Sequence, residues 1–284
     1  MTPTSATKLL ICLFIIFAGC AAQKSKHDSQ LRPISNVRSG LFFYTKGEYE
    51  KAIRAFDLAI KNKPANATLY FNKGLCQAKL KLYSNAIENF TRAISLNPYF
   101  VQAYVNKGLA YAAVNNFDEA QKNLHKALNL DKNNPVILYN LGNIYLQKKQ
   151  YERASYYYTQ AIILKPNLTN AYLNRGIAYL KSGKINQALH DVTQATALNP
   201  TDVHAYYNRA LIYEASGEIN QALDDYSRAL SLDPEFAPAY YNRGILRLRK
   251  NKRKLGCADL SQACKLGLCG RYKQLQNSGE CPVE

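Results

Sequence analysis

From about residue 33 onward, the apolar positions of this chain fall on two alternating helical faces. Between Asn170 and Pro200, Tyr172, Gly176 and Tyr179 share one face, and Ala188, Val192 and Ala195 share a second at i, i+4, i+7 spacing. Ser182-Gly183 separates the two. The pattern predicts two short amphipathic helices joined by a tight turn, with small residues at Gly176, Ala188 and Ala195 letting the backbones approach. One such hairpin cannot bury its own apolar face, so it needs copies of itself on both sides.

The copies recur every 34 residues. One column holds Gly40, Gly74, Gly108, Gly142, Gly176, Ala210 and Gly244. A second runs Ala52, Ala86, Ala120, Ala154, Ala188 and Ala222 and ends at Gly256, and a third is alanine throughout from Ala59 to Ala263. The large partner in the second helix is Phe56, Phe90, Leu124, Tyr158, Val192, Tyr226 and Leu260. Pro64, Pro98, Pro166, Pro200 and Pro234 follow the second helices, where a missing N–H is harmless. Gly47, Asn115, Gly183, Gly217 and Asn251 fill the turn column, and Lys81 and Lys149 occupy it at a small cost in local strain. Cys76 aligns with Ala110, Ile144 and Ala178 and reads as a buried packing residue.

This period, with its Gly, Tyr, Ala, aromatic, Ala, Pro pattern, resembles the tetratricopeptide repeat. The resemblance implies an all-α, right-handed superhelical solenoid of seven helix-turn-helix repeats, at 33–66, 67–100, 101–134, 135–168, 169–202, 203–236 and 237–268. It further implies that the first helices line a concave groove that takes an extended or helical peptide.

Residues 1–20 read as a targeting segment. Lys8 is their only charge, and the apolar run Leu9–Ala18 is shorter than the roughly 20 residues that span a bilayer. The run ends in Phe17-Ala18-Gly19-Cys20, which resembles a bacterial lipobox, although Phe17 departs from the usual leucine. The resemblance implies a signal peptide over 1–19, a diacylglycerol on Cys20 and, with Ala21 following, an outer-membrane location facing the periplasm. An ordinary secretory signal with an incidental Cys20 is the alternative. Residues 20–32 are polar and aperiodic and read as a flexible tether.

Charge and cysteines change the picture at the C-terminus. Lys and Arg number 37 against 20 Asp and Glu, and Arg247, Arg249, Lys250, Lys252, Arg253 and Lys254 crowd the turn of the seventh repeat. Capping of an end repeat explains part of this basic patch. An anionic lipid or cell-wall polymer is the second reading. Cys257, Cys264, Cys269 and Cys281 follow, an even set that in an exported chain points to disulfides. Cys257 and Cys264 lie seven apart on one helix, about 10 Å between Cα atoms, and cannot bond each other. Two connectivities remain. A chain turning back as a short helix over about 269–276 favours Cys257–Cys281 and Cys264–Cys269, in a C-terminal cap at 269–284. The spacing lacks the Cys-x-x-Cys pair of a zinc site.

No catalytic constellation emerges, and the four histidines share no metal-ligand spacing. The reading calls for no cofactor, no metal and no nucleic acid. The informative columns are on the first helices. Asn72, Asn106, Asn140, Asn174, Asn208 and Asn242 resemble the asparagine ladder with which superhelical tetratricopeptide proteins hold extended chains, since each amide can pair with peptide N–H and C=O. Asparagine is also common at this position for structural reasons. Phe71, Tyr139, Tyr207 and Tyr241 are expected to wall the same groove. The column Lys73, Lys107, Arg175, Arg209 and Arg243 reads as cationic stems lying over a helix junction with their heads in water, and Asp224-Asp225 as a solvated face. These residues point to a non-catalytic envelope scaffold that binds another protein or peptide segment during assembly of an envelope complex. The alternatives are a module for anionic lipid or cell-wall polymer at the basic repeat, or an accessory subunit of an envelope enzyme.

Overall fold

The computed structural model describes residues 36–282. The leader, Cys20 and the tether lie outside them. The described residues form fifteen α-helices and divide into two compact units, 36–164 and 165–282. The first unit holds α1 (Asn36–Thr45), α2 (Tyr49–Asn62), α3 (Ala67–Lys79), α4 (Tyr83–Leu96), α5 (Val101–Ala113), α6 (Phe117–Leu130), α7 (Pro135–Gln147) and α8 (Tyr151–Leu164). The second holds α9 (Thr169–Lys181), α10 (Ile185–Leu198), α11 (Val203–Ser216), α12 (Ile219–Leu232), α13 (Ala237–Arg249), α14 (Arg253–Lys265) and α15 (Gly270–Asn277). None is long and apolar enough to cross a membrane.

Odd-numbered helices pair with the helix that follows, from α1 with α2 to α13 with α14. Within each unit the second helix of a pair also packs on the first helix of the next: α2 on α3, α4 on α5, α6 on α7, then α10 on α11 and α12 on α13. The small columns explain the close pairing. A Cβ added at Gly142 would stand 2.5 Å from the Tyr158 ring, so the ring takes the space that glycine leaves open. The alanines facing this junction are fully buried at Ala86, Ala120, Ala154, Ala188 and Ala222. An interior at crystal-like density has no room for a larger side chain there.

Each helix hairpin closes through a left-handed residue. Gly47, Gly183 and Gly217 have φ of 76°, 76° and 82°, and Lys81, Asn115, Lys149 and Asn251 adopt 61°, 60°, 58° and 57°. In α3 the ending is a Schellman motif, with Lys81 N–H on the Ala78 carbonyl and Leu82 N–H on that of Gln77. Helix starts are capped locally: Asn134 Oδ1 accepts from Val136 and Ile137 N–H, and Asp202 Oδ1 from His204 and Ala205 N–H. Cys76 is fully buried, and desolvation pushes its thiol up to about 12, which keeps it protonated and inert.

At the C-terminus α14 stops at Gly267, φ 99°, and the chain doubles back into α15. Cys257 pairs with Cys281 and Cys264 with Cys269, at Cα separations of 5.6 and 3.9 Å. This is the connectivity that the reversed chain favours. Leu260, Tyr272 and Leu275 form the small core under the first of these bonds.

Candidate functional site

The six asparagines of the first helices are buried, none more than 8 % exposed. Sequence reasoning placed them on an open wall, and the structure instead packs them into the repeat. Their amide groups are partly engaged there. Asn106 Nδ2 donates to the Gln102 carbonyl at 2.8 Å, and Asn208 Nδ2 to that of His204 at 2.8 Å. Asn242 Nδ2 donates to the Tyr207 hydroxyl at 3.0 Å, tying α13 to α11. The Oδ1 atoms of Asn106 and Asn208 have no partner, and at Asn140 neither amide atom has one. A buried acceptor left unpaired costs about 1–3 kcal/mol.

The aromatic positions are core side chains rather than free walls. Phe71 packs on Phe90 and Phe100, Tyr139 on Tyr158, and Tyr207 on Tyr226 and Phe236, with centroids 4.7–5.8 Å apart. Only Tyr241 stays half-buried. Burial raises the Tyr207 hydroxyl to about 12 against the lowering effect of Asn242, so it remains protonated.

The cationic column of the second unit corrects a second expectation. Arg175, Arg209 and Arg243 do not hold their heads in water. Each donates two hydrogen bonds, from Nε and Nη2, to a buried aspartate sixteen residues on: Asp191, Asp225 and Asp259, at 2.6–3.0 Å. Arg209 Nη1 reaches back to Thr196 Oγ1 on α10, and Arg243 Nη1 to Ser227 Oγ on α12. Each of these two guanidinium groups therefore bridges three helices. Burial pulls Arg175 down, and the hydrogen bonds and charge of Asp191 more than offset it, so the group is held above its ordinary value. Asp225, read as solvated, is 6 % exposed.

The basic patch is largely tied into the fold. Arg247 donates to Asp259, Arg249 to Glu214 and Lys250 to the Asn220 side chain. Arg253 donates to the carbonyls of Gly279 and Glu280, strapping the tail that Cys281 fixes. Arg249, Lys250, Lys252, Arg253 and Lys254 are nonetheless exposed, and Arg247 is half-buried. Among the described residues no cluster of His, Cys, Asp or Glu could hold a metal ion.

Residues 41–252 match the family model described as the tetratricopeptide repeat protein 21 N-terminal ARM repeat. No curated protein sequence matches the chain. Among solved structures, a tetratricopeptide repeat protein from Parabacteroides merdae is 20 % identical, covers 85 % of this chain and 96 % of its own, and superposes with a TM-score of 0.68. Pseudomonas aeruginosa pilF is 20 % identical over 75 % and 97 %, with a TM-score of 0.64. YrrB, described as a TPR protein with an unusual peptide-binding site, is 24 % identical over 70 % and 98 %, with a TM-score of 0.56.

Proposed function

This chain belongs to the tetratricopeptide-repeat family, through its match to the model for the N-terminal ARM repeat of tetratricopeptide repeat protein 21, and on that premise we propose that it is a non-catalytic scaffold of the bacterial envelope. It takes a polypeptide segment against the first-helix face of its repeats and so assembles an envelope complex. The observation that carries this reading is the family match over residues 41–252, which makes the chain an array of tetratricopeptide hairpins. The peptide-binding site named for YrrB gives a fold-level precedent. Lipid on Cys20 anchors the chain to the outer membrane, facing the periplasm. The two cysteine pairs of the cap favour such an oxidising compartment.

The test is photo-crosslinking in cells with a benzophenone side chain at Gln102, which is exposed and whose carbonyl holds Asn106, and a second probe at Arg253. A discrete protein adduct at 102 supports the reading. An adduct confined to 253, or none at either probe, overturns it. Cys20→Ser should release the chain from the membrane fraction.

A further inference from the structure

The two disulfides of the cap differ in access and in the length of chain they close. Cys257 and Cys281 are each 4 % exposed and lie in the small core with Leu260, Tyr272 and Leu275. Their bond joins α14 to the tail beyond α15, at a sequence separation of 24. Cys264 and Cys269 are half-buried, and Lys265, Gly267, Leu268 and Gly270 around them are exposed. Their separation is 5. Closing so short a loop takes less freedom from the unfolded chain than closing the long one, so this bond contributes less to folding.

The reversal that Cys264 and Cys269 span is also built without their bond. Gly267, φ 99°, ends α14 in a Schellman motif, with Gly267 N–H on the Cys264 carbonyl at 2.9 Å and Leu268 N–H on that of Ala263 at 2.8 Å. α15 is held separately. Tyr272 and Leu275 seat it in the cap core, and Cys281 fixes the tail. Arg253 donates to the Gly279 carbonyl, and the Tyr272 hydroxyl and Gln276 Nε2 donate to that of Pro282. Opening the short bond therefore leaves its two sulfurs side by side in a folded cap. Opening the long one frees the tail.

The surroundings suit thiolate chemistry. Between Leu260 and Gly279 the chain carries Lys265, Arg271 and Lys273 and no acidic residue. Cations beside a sulfur stabilise its thiolate and attract an incoming one. The two sulfurs are not equivalent. Cys264 packs against the cap core, whereas Cys269 lies outside that core, in the reversal just before α15. An attacking thiolate meets less obstruction at Cys269.

We propose that Cys264–Cys269 is a thiol–disulfide exchange site at which a dithiol oxidoreductase engages this chain, and that Cys257–Cys281 keeps the cap folded meanwhile. A thiolate of the dithiol attacks Cys269 Sγ. A new S–S bond forms there, the Cys264–Cys269 bond breaks, and Cys264 leaves as a thiolate. The second thiolate of the partner then attacks the partner's own sulfur in the mixed disulfide and releases Cys269. Two electrons pass to the cap, each released sulfur takes up one of the protons the dithiol gave up, and the partner departs as a disulfide. An oxidised partner runs the sequence backwards. The site lies apart from the first-helix face and stands whether or not that face binds a peptide.

The test uses the full oxidised chain and reduced thioredoxin whose resolving cysteine is replaced by serine, which traps the first step. Mass spectrometry of the digested adduct should place the mixed disulfide on Cys269. With intact thioredoxin, alkylation of Cys264 and Cys269 should outpace that of Cys257 and Cys281 by about tenfold or more, while hydrogen exchange over α15 stays slow. Cys264→Ser with Cys269→Ser should abolish trapping and keep α15 protected. Absence of an adduct, trapping on any other cysteine, or reduction of Cys257–Cys281 as fast as the short bond overturns the proposal. So does fast exchange over α15 when only the short bond is open, whether by reduction or in the double serine variant, because the bond would then be a structural one.

Discussion

The Arg–Asp pairs of the second unit make a quantitative claim that a double-mutant cycle can test. Arg175 and Asp191 have side chains 14 % and 2 % exposed, joined by two hydrogen bonds of 2.6 and 2.7 Å. Removing one partner of a buried pair leaves an uncompensated charge and costs about 3–5 kcal/mol, whereas replacing both by apolar residues is often neutral or stabilising. The fourth repeat supplies the replacement, because the same two positions there hold Leu141 and Tyr157. Tyr157 stacks on Tyr145, and the counterpart of Tyr145 in the fifth repeat is Tyr179. Asp191→Tyr alone should therefore destabilise the second unit by about 3 kcal/mol, at the low end of that range because Arg175 keeps a little solvent. Arg175→Leu with Asp191→Tyr should return to within about 1 kcal/mol of the parent. Because repeat arrays need not unfold in one step, hydrogen exchange of the α9 and α10 amides is a better reporter than a global melt. A coupling below about 0.5 kcal/mol, with the double variant as unstable as the sum of the singles, would refute the claim that these pairs act as a unit.

Three further outcomes follow from the geometry. Lys81 and Lys149 sit at φ of 61° and 58°, so Lys81→Gly and Lys149→Gly should each stabilise the first unit by about 1 kcal/mol in urea unfolding, with destabilisation counting against a strained turn. Cys257→Ser with Cys281→Ser opens a loop of 24-residue separation and should remove about 3 kcal/mol from the cap, seen as fast exchange over α15 while α9–α12 stay protected. Burial lowers the pKa of His125 below its ordinary 6.5, so the unfolded chain binds the proton first. His125 thus contributes stability that is full above about pH 6.5 and is lost as pH falls through the lowered folded value. His125→Gln should flatten that acid limb in a pH series of melts.

Much of this architecture is legible in the chain because its determinants are local and repeated. Gly142 beside Tyr158, the alanine columns and the turn residues each act within one hairpin, and a 34-residue shift displays them. The cap was legible for a different reason: helix spacing forbids a Cys257–Cys264 bond, and a reversed chain then brings the remaining partners together. The Arg–Asp ladder was written in the sequence too, at i and i+16, as Ser39/Ala55, Lys73/Asn89, Lys107/Asn123, Leu141/Tyr157 and then three Arg/Asp pairs. Reading each column singly hid it, since a lone arginine column looks like solvated stems. Burial of the asparagines was not legible. Their column allowed both an open ladder and a packed, structural role, and residue type alone does not choose between the two.

These distinctions bear on where function resides. Of the cations that looked available for an anionic ligand, Arg247 holds Asp259 and Arg253 holds the disulfide-linked tail, while five of the six stay exposed. In a solenoid, a residue that recurs in every repeat serves the stacking of repeats, and every neighbour explains it equally well. A residue that breaks the recurrence without a packing reason needs another account. Tyr156 and Ile163 break it toward apolar character while remaining 59 % and 65 % exposed. Exposed large apolar groups in company are costly to solubility and mark contact sites. Selective pressure on a repeat chain is therefore best read from its exceptions, among them Tyr99, Tyr156 and Ile163.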